Sequence, residues 1–156
     1  MIPIEPARSL FNEANRDLLL GQHVILRRML AGIAAIGDRC VREVEQASEL
    51  IARIAELRPL FEWHLRSEET CLEPVLAHLE PMGAVRLQTL YAAHAHQRAV
   101  FSALAQSGAR LELRDPARFA SALVEDLLAD MDAEESDLFF ASGLQRDWVN
   151  VFQGGA

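Results

Sequence analysis

Residues 60–76, LFEWHLRSEETCLEPVL, repeat apolar or potentially buried side chains at alternating steps of three and four residues. The residues at this spacing are Phe61, His64, Glu68, Cys71 (or Leu72) and Val75. Side chains spaced in this way lie on one face of an α-helix. The segment therefore predicts a helix that turns a His and a Glu toward the protein core.

The same periodicity extends along most of the chain, and no stretch alternates with the period of two that is typical of a strand. The predicted helices run from about Leu10 to Ile36, Arg42 to His78, Pro81 to Ser107, and Pro116 to Ala141. Pro59 is expected to break or kink the second helix, as is Pro74 near its end. We predict an all-α fold, an up-down-up-down four-helix bundle in a single domain over residues 1–156. Its core covers about residues 10–142 and is followed by a short tail.

Composition narrows the classes of function. The 156 residues are 51% hydrophobic and carry a formal charge of −8, and aromatic residues make up only 6%. An acidic surface repels nucleic acid and anionic lipid. No apolar run reaches the roughly 18–20 residues needed to cross a bilayer. The two cysteines, Cys40 and Cys71, are too few for a disulfide framework and suit a reducing cytoplasm.

Two segments of similar pattern carry the candidate chemistry. Residues 64–69, HLRSEE, are echoed by residues 130–135, DMDAEE. In each segment a possible ligand, His64 or Asp130, precedes a Glu by four residues, so both side chains of a pair project from one helix face. If these faces are internal, Glu68 and Glu134 are carboxylates at core positions. Such groups need a partner, and a metal cation is a strong one.

Histidines on the apolar stripes of other helices extend this set. His23 lies on the stripe of the first helix and His94 on that of the third. His94 and His96 point about 200° apart on a helix, so both cannot face one point. The apolar residues that follow His94 match those that follow His23, which favours His94, and His96 remains the alternative. Imidazole and carboxylate donors from several helices are typical ligands of iron, manganese or zinc.

This arrangement resembles the hemerythrin-like (HHE cation-binding) domain family, whose helical bundles hold a non-haem di-iron centre. The resemblance covers roughly residues 15–142. It implies metal ligands at His23, His64, Glu68, His94 or His96, Asp130 and Glu134. It also implies iron, as two ions, although another divalent metal is compatible with the same donors.

The chain departs from the family pattern at one position. Asp130 stands where the fourth helix of the family carries His. Asp is shorter, anionic and harder than imidazole, and it would bring a third carboxylate to the site. The change is expected to favour oxidation chemistry or metal storage over reversible oxygen binding. Alternatively, this chain has lost one metal position or all metal.

Two further features have alternative interpretations. Glu69 and Glu135, next to the candidate ligands, are either acceptors for imidazole N–H groups or solvated neighbours. Cys71, one turn beyond Glu68, is either an inert buried thiol or a sensor of oxidants or nitric oxide.

Three functions follow as hypotheses. The first is a cytoplasmic protein that binds, carries or senses oxygen, nitric oxide or iron at a di-iron site. The second is a ferroxidase or oxygen-activating enzyme, suggested by the third carboxylate. The third is a metal-free bundle that serves as an interaction module. A diatomic ligand is the expected partner, nucleic acid and membrane are not, and a homodimer remains open.

Overall fold

The computed structural model describes residues 13–40, 47–77, 81–107 and 116–136, without the side chains of residues 47, 104–107, 116 and 117. Within these ranges the chain is helical apart from a turn at residues 81–82. The helices are α1 (Glu13–Cys40), α2 (Ala47–Ala77), α3 (Gly83–Ser107) and α4 (Pro116–Glu134). The all-α prediction is confirmed. The predicted helix ends at Leu10, Arg42, His78 and Ala141 lie outside the described residues.

The prolines do not break the second helix, so that part of the expectation is wrong, and a kink stays a prediction. Pro59 and Pro74 both lie inside the continuous helix α2. Proline has no backbone N–H, so the carbonyl group four residues before it lacks its helical hydrogen bond. Both proline side chains are exposed, so water can reach these carbonyl groups instead. Residues around each proline, such as Leu57 and Leu76, are buried. Burial of an apolar side chain contributes about 1.5–3 kcal/mol, which offsets the local cost of the proline.

The apolar core forms mainly where α1, α2 and α4 meet, and Phe101 from α3 also joins it. Its side chains come from one stripe of each helix, as the spacing predicts. The most deeply buried members include Leu26, Leu30, Ile33, Leu50, Leu57, Leu65 and Met131. The core occupies one end of the bundle, and the polar site described below continues it toward the other end.

Contacts between α1 and α2 join opposite ends of the two helices. Gln22, early in α1, donates from Nε2 to Oγ of Ser67, late in α2, at 2.9 Å. Arg39, at the end of α1, lies 3.8 Å from the carboxylate of Glu49 at the start of α2. The two helices therefore run antiparallel.

The same test applies to the other pairs. Early in α3, the Tyr91 hydroxyl donates to Glu73 in the last part of α2 at 2.6 Å. Later in α3, Ser102 accepts from Arg58 in the middle of α2 at 3.4 Å. Arg27 of α1 pairs with Asp132 near the end of α4 at 2.7 Å. These contacts are consistent with the predicted up-down-up-down order.

Helix α1 is long and apolar enough, by length and composition alone, to cross a membrane, which the sequence pattern did not lead us to expect. Core helices of globular bundles meet the same criterion. One face of α1 packs into the apolar core through residues such as Leu26 and Ile33. The same face buries the polar side chains of Gln22 and His23, which make hydrogen bonds to other helices.

Candidate metal centre

Besides Gln22, four polar side chains of the described residues are buried, and they lie at one level of the bundle, each on the apolar stripe of its helix. His23, His64 and His94 are 1–2% exposed, and Glu68 is fully buried. Glu134, near the end of α4, is 19% exposed. Each residue replaces an apolar side chain at a core position, so the helical periodicity that builds the core also directs these groups inward.

The ligand atoms of His23, His64, Glu68 and Glu134 all lie within 4.8 Å of one another. We call these residues the four-residue group. His23 Nε2 is 3.2 Å from Glu134 Oε2, and His64 Nε2 is 3.5 Å from Glu68 Oε1. His94 adjoins the group, with its Nε2 3.1 Å from Glu68 Oε2. The structure thus brings together five of the residues that the sequence singled out, from all four helices.

The two inward carboxylates are in unlike electrostatic states. Burial, followed by the negative charge of Glu134, raises the pKa of Glu68 well above its usual range. Burial also opposes ionisation of Glu134, but the contacts of His23 and His64 outweigh it and lower the pKa of Glu134 to about 2. Glu68 Oε1 and Glu134 Oε2 are buried, and neither accepts a well-aligned hydrogen bond from the described residues. These two buried oxygens can therefore accept a bond from a positively charged group.

The partner of the outer nitrogen, Nδ1, determines which nitrogen of each imidazole carries the proton. His23 Nδ1 lies 2.8 Å from Glu135 Oε1, and His94 Nδ1 lies 2.9 Å from Glu69 Oε1. Carboxylates only accept hydrogen bonds, so Nδ1 carries the proton in both rings. In the neutral ring, Nε2 is then left with a lone pair that faces Glu134 or Glu68.

His64 is arranged in the same way by a neutral partner. Its Nδ1 donates to Oε1 of Gln22 at 2.9 Å. The amide of Gln22 is itself oriented, because its Nε2 donates to Ser67 Oγ at 2.9 Å, and Ser67 donates to the backbone carbonyl of Trp63. Burial lowers the pKa of His64, so its ring is neutral and presents a lone pair on Nε2.

Imidazole lone pairs aimed at carboxylate oxygens repel unless a proton or a cation lies between them. A proton can serve at His23, whose pKa is raised because the contacts with Glu134 and Glu135 outweigh its burial. The pKa of His64 is lowered, so a proton between His64 and Glu68 would have to reside on the Glu68 carboxyl group, whose pKa is raised. Neutral nitrogen and anionic oxygen donors together form a ligand set for iron, manganese or zinc. The residues present therefore fit a metal cation.

Glu69 and Glu135 accept hydrogen bonds from imidazole N–H groups, which was one of the two interpretations of the sequence, and are not merely solvated neighbours. Each carboxylate also binds an arginine through the same oxygen that accepts the imidazole proton. Arg98 Nη1 donates to Glu69 Oε1 at 2.8 Å, and Arg27 Nη2 donates to Glu135 Oε1 at 2.9 Å. These bonds help to lower the pKa of both carboxyl groups against the effect of burial.

Two predicted site residues lie apart from the group. His96 is exposed on the outer face of α3, while His94 is buried. Asp130 is exposed and accepts a hydrogen bond from Gln97 Nε2 at 2.6 Å, and the four-residue group does not include it. The expected third carboxylate is thus turned toward α3, where the amide of Gln97 holds it, although it stays close enough to Glu134 for the two charges to interact.

Cys71 packs against Leu19 and Leu20 beside the site and is 7% exposed. Burial, followed by the negative charge of Glu68, raises the pKa of its thiol. A thiol in this state is a poor nucleophile, which favours the interpretation as an inert buried side chain. Cys40 is likewise free and buried.

The sequence pattern missed the residues that hold the imidazoles, namely Gln22, Arg27 and Arg98. A signal for the two arginines is present: His23 and His94 are each followed by Arg four residues later. Residues at this spacing share a helix face, so each Arg can reach the carboxylate that its neighbouring His binds. Gln22 has no comparable signal, because its role depends on how α1 packs against α2.

The comparisons with known proteins agree with this geometry. No curated protein and no solved structure matches the chain. The family model described as the hemerythrin HHE cation-binding domain matches residues 15–141, which is most of the sequence. The resemblance noted from the motifs is therefore confirmed, and the chain belongs to the hemerythrin HHE cation-binding domain family.

Proposed function

We propose that this protein holds a non-haem iron centre between its four helices and uses it to bind or sense a diatomic gas, oxygen or nitric oxide. One observation carries the proposal: three imidazoles direct their Nε2 atoms at two inward-facing carboxylates. His23, His64 and His94 each bind an acceptor through Nδ1. Such outer partners are the usual means of orienting a metal-binding histidine.

The donor set supports iron over the common alternatives. Mixed nitrogen and oxygen donors suit iron, whereas a calcium or magnesium site consists of oxygen ligands. Manganese and zinc remain compatible with the same atoms, so the choice of iron also rests on the family. Both cysteines of the chain are free and buried, which agrees with the reducing cytoplasm that we propose as its location.

Glu68 supports a centre with two cation positions. Its Oε1 is 3.5 Å from His64 Nε2, and its Oε2 is 3.1 Å from His94 Nε2. The two oxygens of this carboxylate thus face different imidazoles, so Glu68 would be able to help hold two cations. The four-residue group supplies the donors of one position. His94 and Glu68 Oε2 would supply donors of a second position.

When bound, ferrous iron supplies electrons and an open coordination position for a diatomic molecule. The chain's own residues hold the donors in place, and the apolar side chains around them limit access of water. Burial of His64 and Glu68 keeps this part of the bundle dry. A dry, apolar wall slows protonation of a bound gas and so favours its release unchanged.

The outward position of Asp130 bears on the alternative of an oxidising enzyme. That hypothesis rests on a third carboxylate at the site, whereas Asp130 is exposed and bound to Gln97. With two inward carboxylates, a carrier or sensor is the better supported proposal. The metal-free interaction module would leave Glu68 buried without a cation, a position that opposes its ionisation and raises its pKa.

Metal analysis and optical spectroscopy test the proposal together. The protein is purified without oxygen, reconstituted with ferrous iron, freed of excess metal and assayed for iron per chain. We expect one to two tightly held iron ions and a charge-transfer band that develops on exposure to oxygen or nitric oxide and is reversed by its removal.

A matched pair of variants completes the test. His64→Gln removes a buried donor, whereas His96→Gln removes an exposed histidine of the same chain. We expect His64→Gln to lose the iron and the band, and His96→Gln to keep both. Turnover of ferrous iron far beyond the stoichiometry of the site would indicate a ferroxidase instead. A chain that binds no iron, with a melting temperature unaffected by iron or a chelator, would indicate the metal-free module.

A further inference from the structure

Two arginines occupy equivalent places on either side of the site. Arg27 follows His23 by four residues on α1, and Arg98 follows His94 by four residues on α3. The guanidinium groups of both arginines bind carboxylates outside the four-residue group. Each reaches a carboxylate on a neighbouring helix, Glu135 for Arg27 and Glu69 for Arg98. The arrangement on α1 and α4 is thus repeated on α3 and α2.

The repeat originates in the paired glutamates of the two similar segments. Glu68 and Glu69 are adjacent, as are Glu134 and Glu135, and neighbouring residues on a helix point about 100° apart. The first Glu of each pair therefore faces the interior. The second reaches sideways to the histidine of the adjacent helix, His94 for Glu69 at 2.9 Å and His23 for Glu135 at 2.8 Å.

Each lateral carboxylate is anchored through a single oxygen that serves both partners. Oε1 of Glu69 accepts from His94 Nδ1 and from Arg98 Nη1, and Oε1 of Glu135 accepts from His23 Nδ1 and from Arg27 Nη2. A partly exposed carboxylate without a cation would turn to water. The arginine holds the oxygen where the ring needs an acceptor.

The arginines are fixed by further carboxylates. Arg98 donates from Nε to both oxygens of Glu62, at 3.2 and 2.9 Å, while its Nη1 binds Glu69. Arg27 divides Nη2 between Glu135 and Asp132, at 2.9 and 2.7 Å. A guanidinium presents several donors in a rigid plane, which lets one side chain span two carboxylates in this way.

We propose that Arg27 and Arg98 are positioning residues that fix the tautomer and orientation of His23 and His94 for metal binding. The inference rests on the proposed function, because the value of the tautomer is that it presents the Nε2 lone pair to a cation. His64 is held by the neutral amide of Gln22 instead. His23 and His94 therefore donate to a carboxylate that an arginine holds, whereas His64 donates to an amide.

Arg98→Gln tests the proposal, with Arg66→Gln as its matched control. Arg66 binds Glu62, at 2.9 Å, whereas Arg98 binds both Glu62 and Glu69. Protein labelled with ¹⁵N-histidine is studied by NMR without metal, which reports which ring nitrogen carries the proton. We expect His94 to show one Nδ1–H tautomer in the parent and in Arg66→Gln. In Arg98→Gln we expect a mixture of tautomers at His94 and an unchanged signal at His23.

Arg27→Gln is the reciprocal variant and should disturb His23 but not His94. Binding of Co²⁺, measured by competition with a chromophoric chelator, is the second readout. Loss of an outer partner of a metal-binding histidine typically weakens affinity 10–100-fold, and we expect about tenfold for either arginine, one step further out. Arg66→Gln should stay within about twofold of the parent on the same reasoning.

The outcomes separate the two proposals. If Arg98→Gln keeps the parent's tautomer at His94, or binds Co²⁺ within twofold of the parent, Arg98 is not a positioning residue. If the parent binds no Co²⁺ or ferrous iron, the proposed function fails, and the tautomers of the metal-free protein still decide whether the arginines fix the rings. Circular dichroism of each variant establishes that the helices are retained.

Discussion

Replacing Glu68 by Gln measures how much this buried carboxylate lowers the stability of the metal-free protein. The Glu68 side chain is fully buried, and its Oε1 accepts no well-aligned hydrogen bond from the described residues. Burial, followed by the charge of Glu134, raises its pKa well above the ordinary value of 4.5. Glu68→Gln keeps the volume and removes the charge. We therefore expect the metal-free variant to be more stable than the parent.

The size of the effect follows from this burial. A buried acceptor that is left without a hydrogen bond costs about 1–3 kcal/mol, and a charged one costs more, so we take the lower range. For a chain of this length, 1 kcal/mol shifts the melting temperature by about 2–4 °C, so we expect an increase of about 2–12 °C. The same variant should bind iron more weakly, because an amide oxygen is a poorer ligand than a carboxylate. Stability without metal and affinity for metal thus change in opposite directions.

The assay is thermal unfolding followed by circular dichroism after removal of metal with a chelator. The cost of a carboxyl group with a raised pKa is fully present above that pKa. It shrinks as the pH falls below it, and it disappears near 4.5, where the carboxyl group of the unfolded chain also takes up a proton. The difference in melting temperature between parent and variant should therefore shrink as the pH is lowered from about 7.

Glu62→Gln is the control for this experiment. Glu62 is partly exposed, and Arg98 and Arg66 bind it, so its pKa is lowered against the effect of burial. Loss of its charge should reduce stability slightly, by up to about 1 kcal/mol. A metal-free Glu68→Gln protein that melts below the parent at neutral pH would refute the reasoning, since it would mean that the carboxylate is stabilised where it lies.

Three other predictions concern the site and the helices. His94→Gln should weaken binding of iron at least tenfold, whereas His96→Gln should leave it unchanged. Competition with a chelator measures both affinities. Equal losses in the two variants would contradict the assignment of His94 as the ligand. Leu57→Ala, in the core, should lower the free energy of unfolding by about 2–5 kcal/mol in urea titration, and Leu18→Ala, at an exposed position, by less than about 0.5 kcal/mol. Pro59→Ala should raise it by about 1–2 kcal/mol, because the helix that already passes through this position regains a hydrogen bond; a loss of stability would show that the proline is needed there.

The helices and the inward residues could be predicted from the sequence because both follow from one periodicity. Side chains three and four residues apart share a face, so a His or Glu on an apolar stripe is directed to the core. His23, His64 and Glu68 were identified in this way. The break expected at Pro59 was wrong, because local propensity cannot weigh one lost hydrogen bond against the burial of neighbouring side chains.

Contacts between helices were harder to predict. Whether Glu69 meets an imidazole or water depends on the rotation of α2 against α3, which the sequence of either helix alone does not specify. The family pattern suggested that Asp130 would act as a ligand, but it bonds to Gln97 on another helix, and no spacing along the chain indicates that pairing. The support of His64 by Gln22 is hidden for the same reason.

Anomalous X-ray scattering at the iron edge tests the central claim most directly. Crystals of protein reconstituted with ferrous iron should show an anomalous peak between His23, His64, Glu68 and Glu134, and a second, weaker one beside His94 if both positions fill. Iron bound in stoichiometric amount but located elsewhere, or no anomalous peak inside the bundle, would contradict the account.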